Sequence, residues 1–179
     1  EFSGFGRVML YRFDHQGHGS VIAEAREERM DSYLDHHFPA TDIPRQAKEL
    51  YLRNTLRVIA ESGSTPVLMV PGQDALSDRP LDMSYAIYRT VSPIHLEYLR
   101  HMGVEASFSL SIIVRGELWG LIACHHPASR QIPLAYWKGY RALAQIFSHE
   151  IETREHIDSH HCLQTLEANG VRSEDVETF

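Results

Sequence analysis

The sequence predicts an α+β domain, a largely antiparallel sheet with helices laid against it. Three observations lead there. Strand-forming runs come in consecutive pairs separated by turn residues, two helix-start signatures interrupt those pairs, and apolar residues recur every three or four positions toward the end. The resulting order is two strands, helix, two strands, helix, two strands, long helix.

Residues 7–13 alternate polar and apolar side chains, the turn formers of 14–19 follow, and residues 20–25 read as the returning strand of a hairpin. The polar stretch 27–36, with scattered Met30, Tyr33 and Leu34, reads as a loop or short helix. Asp42 followed by Pro44 is a helix cap with proline just inside the start, and Ala47, Leu50 and Tyr51 recur at helical spacing. Residues 56–59 are β-branched enough for a strand, with 66–70 as its expected partner and 71–80 as a polar loop. Ser92-Pro93 opens a second helix that ends at Gly103, where a C-terminal glycine belongs. Two strands, 107–114 and 118–125, are joined by Arg115-Gly116-Glu117. Leu134, Trp137, Tyr140, Ala144, Phe147 and Ile151 then mark a long amphipathic helix. The polar stretch 152–161 comes next, and a tail breaks at Asn169-Gly170.

Composition narrows the function. The chain has 179 residues, enough to bury a proper core as one domain. Seventeen Lys and Arg against 24 Asp and Glu give a net charge of -7 with no basic block, which argues against nucleic acid and anionic membranes as partners. The apolar runs are too short to span a bilayer, and residues 1–6 do not read as a signal peptide. Two cysteines, Cys124 and Cys162, make no disulfide scaffold, so a reducing cytoplasm is expected. Twelve histidines stand out, since imidazole binds metals, shuttles protons and lines polar cofactor pockets.

Catalytic and metal motifs are missing: no Gly-rich phosphate loop, no G-x-S-x-G and no H-E-x-x-H. Cys124-His125-His126 lies at a strand end, where alternation puts Cys124 and His126 on one face and His125 on the other, a poor arrangement for three metal ligands. His156, His160, His161 and Cys162 read as a solvated helix end. Neither an enzyme nor a metal site is expected.

Four segments carry a family resemblance in the right order. They are Phe38-Pro39-Ala40-Thr41-Asp42-Ile43-Pro44, the run from Ser92 through Ile94 and His95 to Val104, Ser107-Phe108-Ser109-Leu110-Ser111, and Leu118-Trp119-Gly120-Leu121-Ile122-Ala123-Cys124-His125-His126. Together they resemble the chromophore-binding GAF domain of bacterial-type phytochromes, over residues 4 to 152. The resemblance implies a GAF domain at 1–152 with a helical extension or frayed tail at 153–179. It also implies a bound linear tetrapyrrole, biliverdin, that isomerises in red light.

Each residue has an implied role. Arg57 and Arg89, with Tyr51, match the positions that hold one propionate; Ser107 and Ser109, two apart on one strand face, match those that hold the other. The Asp42 backbone carbonyl, with a water held by His95, matches the acceptor for the inner pyrrole N–H groups, and Ile43 and Pro44 complete that motif. His125 matches the histidine that hydrogen-bonds the outermost ring's carbonyl, inside an aromatic wall of Tyr11, Phe38 and Tyr98. One departure stands out. Where some phytochromes carry an attachment cysteine just before the conserved histidine, this chain has Ile94, and the N-terminal cysteine of the bacterial type is not in this sequence. Non-covalent binding is therefore expected unless Cys124 or Cys162 is recruited. The resemblance further implies PAS and PHY domains in a parent protein and a homodimer through the last helix. The competing readings are a GAF domain that senses haem or another small molecule, with His95 or His125 as axial ligand, and an engineered near-infrared fluorescent protein.

Overall fold

The computed structural model describes residues 3–169. Its strands are β1 (Arg7–Phe13), β2 (Gly19–Arg26), β3 (His37–Phe38), β4 (Leu56–Ile59), β5 (Ala106–Val114) and β6 (Glu117–His126). The helices are α1 (Arg45–Arg53), α2 (Pro93–His101) and α3 (Trp137–Ala168), the last entered through a 3-10 turn at Leu134–Tyr136. The strands form one antiparallel sheet in the order β3-β2-β1-β6-β5-β4. The α+β expectation holds.

Alternation sorts the sheet into two buried faces. Leu56, Phe108, Leu110 and Cys124 point to one side and form a core with Trp137, Tyr140 and Ala144 of α3; the Phe108 and Tyr140 rings meet at 4.9 Å. Met9, Tyr11, Val21 and Leu121 point to the other side, under α1 and the loops flanking it. Ile59, Leu96, Leu99 and Val104 seat α2 on that same side. Both faces are covered, so β5 is buried or half-buried along its whole length, with Phe108 and Leu110 facing α3 and the small polar Ser107, Ser109 and Ser111 facing the other side.

Local chemistry fixes the ends. Gly103, at φ 67°, closes α2: its N–H donates to Arg100 O at 3.0 Å and that of Val104 to Leu99 O at 2.9 Å, while Val104 packs on Leu99. The β5–β6 hairpin turns through Arg115 and Gly116, both at positive φ (52° and 81°), a two-residue turn whose twist suits the strands. Gly120 is needed for another reason: a Cβ there would lie 2.3 Å from the Tyr11 carbonyl oxygen.

Several expectations need correction. Residues 66–70 form no strand; Val67 and Val70 are more than nine-tenths exposed, and the outer edge of β4 is unpaired by any named strand. Prolines at 66 and 71 bracket that run, and without a buried face its apolar character does not create a strand. Asp42 does not cap α1: the N-cap is Pro44 without a side-chain cap, because a turn (Asp42 N–H to Pro39 O, 3.0 Å) leaves the carboxylate on the inner side. Of the two readings offered for residues 27–36, the loop holds and the short helix does not. Helix α3 continues through the polar stretch to Ala168, and its second half is tied to the sheet by Trp119 Nε1, which donates to Glu155 Oε1 at 2.7 Å. The expected behaviour of the tail from Gly170 lies outside the described residues.

Candidate functional site

A cleft of about 560 Å³ lies on the sheet face opposite α3 and continues into an inner chamber of about 90 Å³. Seven residues line both spaces: Asp42, Ile43, Tyr51, His95, Tyr98, Ser107 and Ser109. The outer cleft adds Pro44, Arg57, Arg89 and Ile94; the inner chamber adds Tyr11, Phe38 and His125. All the residues singled out from the sequence therefore meet around one elongated space.

The fold explains this convergence. Ser107 and Ser109 project from β5 on the face away from α3, and Arg57 pairs with Ser109 across the β4–β5 ladder. His95 and Tyr98 are three apart on α2, so they share a side, and their rings stack at 6.4 Å. Tyr11 and His125 come from the central strands β1 and β6, and Phe38 from the short β3 packs on Tyr11 at 5.7 Å.

The two ends differ in chemistry. At the outer end Arg57 is 9% exposed; its Nη2 donates to Arg89 O at 2.9 Å, while its Nη1 is buried without a partner. Burial, then the neighbouring Arg89 guanidinium, pull the Arg57 pKa down to about 10. Among the described residues no carboxylate pairs with either arginine within 4.0 Å. Two guanidiniums side by side with an orphaned buried donor make a receptor for an anion. The inner end is aromatic, with Asp42 as its one carboxylate. Burial pushes the Tyr11 hydroxyl pKa up, helped by the charge of Asp42, and the same causes raise Tyr98 to about 12. Tyr98 donates to Asp42 Oδ2 at 3.5 Å.

The histidines divide by face. His125 is buried and kept neutral: burial, Arg7 and His95 bring its pKa to about 3, and its Nδ1 has no partner. Burial and then Arg57 lower His95. His126, on the opposite face, accepts the Gly6 N–H at 3.1 Å and plays a structural part. Cys124 is buried beneath α3 with its thiol pushed up to about 12, and Cys162 is exposed far along α3, so neither lines the cleft.

Sequence reasoning missed Met9, Val21, Tyr33, Leu99, Met102, Leu121 and Ala123, which complete the inner chamber. The period-2 pattern could have found Met9 beside Tyr11 and Leu121-Ala123 beside His125. Tyr33 lies in an irregular loop and carries no such signal.

Comparisons with known proteins bear on the family and the fold. The GAF domain model matches residues 1–154. Cyanobacterial phytochrome B of a Nostoc species is 44% identical over 177 residues, covering 99% of this chain and 23% of its own length. A bacteriophytochrome of Pseudomonas aeruginosa is 44% identical over 153 residues, 86% of this chain and 21% of the relative. The chain thus spans between a fifth and a quarter of these relatives. Among solved structures, the chromophore-binding domain of an unusual bacteriophytochrome from R. palustris superposes with a TM-score of 0.85 at 37% identity, over 87% of this chain and 52% of that one.

Proposed function

We propose, from the premise that this chain belongs to the GAF domain family and is a GAF domain of the phytochrome type, that its cleft holds the linear tetrapyrrole biliverdin and that the domain senses red and far-red light through it. The observation that carries this reading is the buried, unpartnered Arg57 Nη1 beside Arg89 at one end of a cleft whose other end is aromatic. A linear tetrapyrrole has that division: propionate carboxylates on a long apolar plane with a row of pyrrole N–H groups. When bound, it supplies visible absorption and a double bond that light can isomerise.

The chain's own residues do the rest. Arg57 and Arg89, with Tyr51, hold one carboxylate through charge-assisted hydrogen bonds; Ser107 and Ser109 hold the other. The Asp42 carbonyl accepts from pyrrole N–H groups, with His95 alongside and Ile43, Pro44 and Ile94 covering the plane. Tyr11, Phe38 and Tyr98 pack around the outermost ring, and neutral His125 offers it a hydrogen bond. Both thiols of this chain stand away from the cleft, so these residues hold biliverdin without a thioether.

The sensing domain in this reading is 1–152, with 153–179 an extension that carries the signal onward. The role is sensory rather than catalytic, in the cytoplasm, within a parent protein that also carries PAS and PHY domains. Ile146, Phe147 and Ile157 remain exposed on α3 and supply a homodimer seam; light scattering that finds only monomer at high concentration contradicts that seam. Mixing the purified chain with biliverdin tests the binding: a new red absorption band is expected, with no zinc-dependent fluorescence on a denaturing gel. A Soret band on haem addition, displaced in His95→Ala, with no red band from biliverdin, contradicts the reading.

A further inference from the structure

Two buried polar atoms near the inner chamber lack hydrogen-bond partners: His125 Nδ1 and Arg7 Nε. Their residues are direct cross-strand partners, Arg7 on β1 facing His125 on β6. Directly opposed residues of an antiparallel pair have Cβ atoms about 5 Å apart and on the same face. The Arg Nε stands three bonds beyond its Cβ and the His Nδ1 two bonds beyond its own, so each is within the other's reach, directly or through one water. Their chemistry is complementary, because guanidinium Nε–H can only donate and a neutral imidazole must accept at one nitrogen.

Arg7 is itself firmly held. It is 2% exposed, its Nη1 donates to Asp31 O at 2.6 Å, and its guanidinium lies over the Tyr33 ring at 3.9 Å from the centroid. Glu24 sits close by: its carboxylate accepts the Ser32 hydroxyl at 2.6 Å and the Tyr33 N–H at 2.9 Å, and these bonds, followed by the charge of Arg7, hold it below the usual carboxylate range against its partial burial. The groups facing His125 are Arg7 from β1, Ser107 from β5 and His95 from α2. None of these three is anionic, and the one carboxylate lining the same chamber, Asp42, accepts from the Tyr98 hydroxyl.

We propose that Arg7 is a positioning residue for the light-sensing site: its Nε–H joins His125 Nδ1, directly or through one buried water, and so fixes the neutral tautomer that carries its proton on Nε2. His125 is thereby a hydrogen-bond donor into the inner chamber and selects a carbonyl oxygen there rather than an N–H group. The identity of the carbonyl rests on the tetrapyrrole reading; the tautomer does not.

Nitrogen-15 NMR of the His125 ring, in the full chain without added ligand, tests the proposal. A single tautomer protonated at Nε2 is expected through neutral pH. Arg7→Gln keeps an N–H at the position of Nε while removing the charge and the stacking plane, and it retains that tautomer. Arg7→Met fills the same length with an apolar chain and gives a mixture. A His125 protonated at Nδ1 in the unsubstituted chain overturns the proposal even if every variant misfolds. So does equal behaviour of the Gln and Met variants, or a tautomer that responds to Ser107→Ala instead. Separately, the biliverdin spectrum reads the ligand assignment: a missing red band with the tautomer intact refutes the tetrapyrrole and leaves the role of Arg7 standing.

Discussion

Arg57→Met moves stability and binding in opposite directions. Arg57 is buried, has a neighbouring cation and leaves one nitrogen unpaired. A fall in pKa from 12.5 to about 10 means that the folded state disfavours this charge by about 3 kcal/mol. The sign follows from the charge: Arg57 is protonated in both states at neutral pH, so a lowered folded pKa is a cost to the folded, ligand-free chain. Methionine keeps the apolar stem, removes that cost and forfeits one hydrogen bond to Arg89 O, worth about 1.5 kcal/mol. The net is a gain of about 1–2 kcal/mol, or about 2–8 °C in Tm for a domain of this size. With ligand the sign reverses. Losing charge-assisted bonds to a propionate costs about 2–3 kcal/mol, an affinity loss of about 30- to 140-fold. Thermal melts without ligand and absorbance titrations with biliverdin give both numbers. A variant that melts lower than the unsubstituted chain and binds biliverdin equally well refutes the anion-receptor argument.

Three more outcomes follow from the same geometry. His125, near 6.5 when unfolded and about 3 when folded, contributes stability that is complete above pH 6.5 and is lost as pH falls toward 3, at up to about 1.4 kcal/mol per pH unit; denaturation curves across that window should flatten in His125→Gln. A thiol reagent should modify Cys162 at once and reach Cys124 only on unfolding, because Cys124 is buried with its thiol pKa raised to about 12; rapid labelling of both cysteines in the native chain contradicts the structure. Gly120→Ala would push a Cβ against the Tyr11 carbonyl and should lower stability by at least about 3 kcal/mol in denaturant titrations, whereas a neutral effect contradicts the β1–β6 approach.

Much of this was legible in the sequence, for identifiable reasons. Strand pairs betray themselves through alternation and turn residues, and α2 through Pro93 at its start and Gly103 at its end. The site residues were legible by motif resemblance more than by physics: nothing in the spacing of Arg57 and Arg89 shows that 32 residues of chain return them to one hydrogen bond. Residues 66–70 looked like a strand because β-propensity measures fit to a half-buried surface, and no surface is there to receive them. Asp42 looked like a cap because its spacing to Pro44 allows one, yet the turn at 39–42 gives its carboxylate to the cleft. Arg7 looked like one polar residue in an alternating strand, and only the cross-strand register puts it against His125.

The central claim is that this cleft holds a linear tetrapyrrole whose outermost ring responds to light. A difference spectrum of the biliverdin-loaded chain, before and after red illumination, tests it most directly. The account predicts a red band that loses intensity under red light and returns in darkness or far-red light. A chain that forms no red band with biliverdin, or one whose band is untouched by saturating red light, contradicts it.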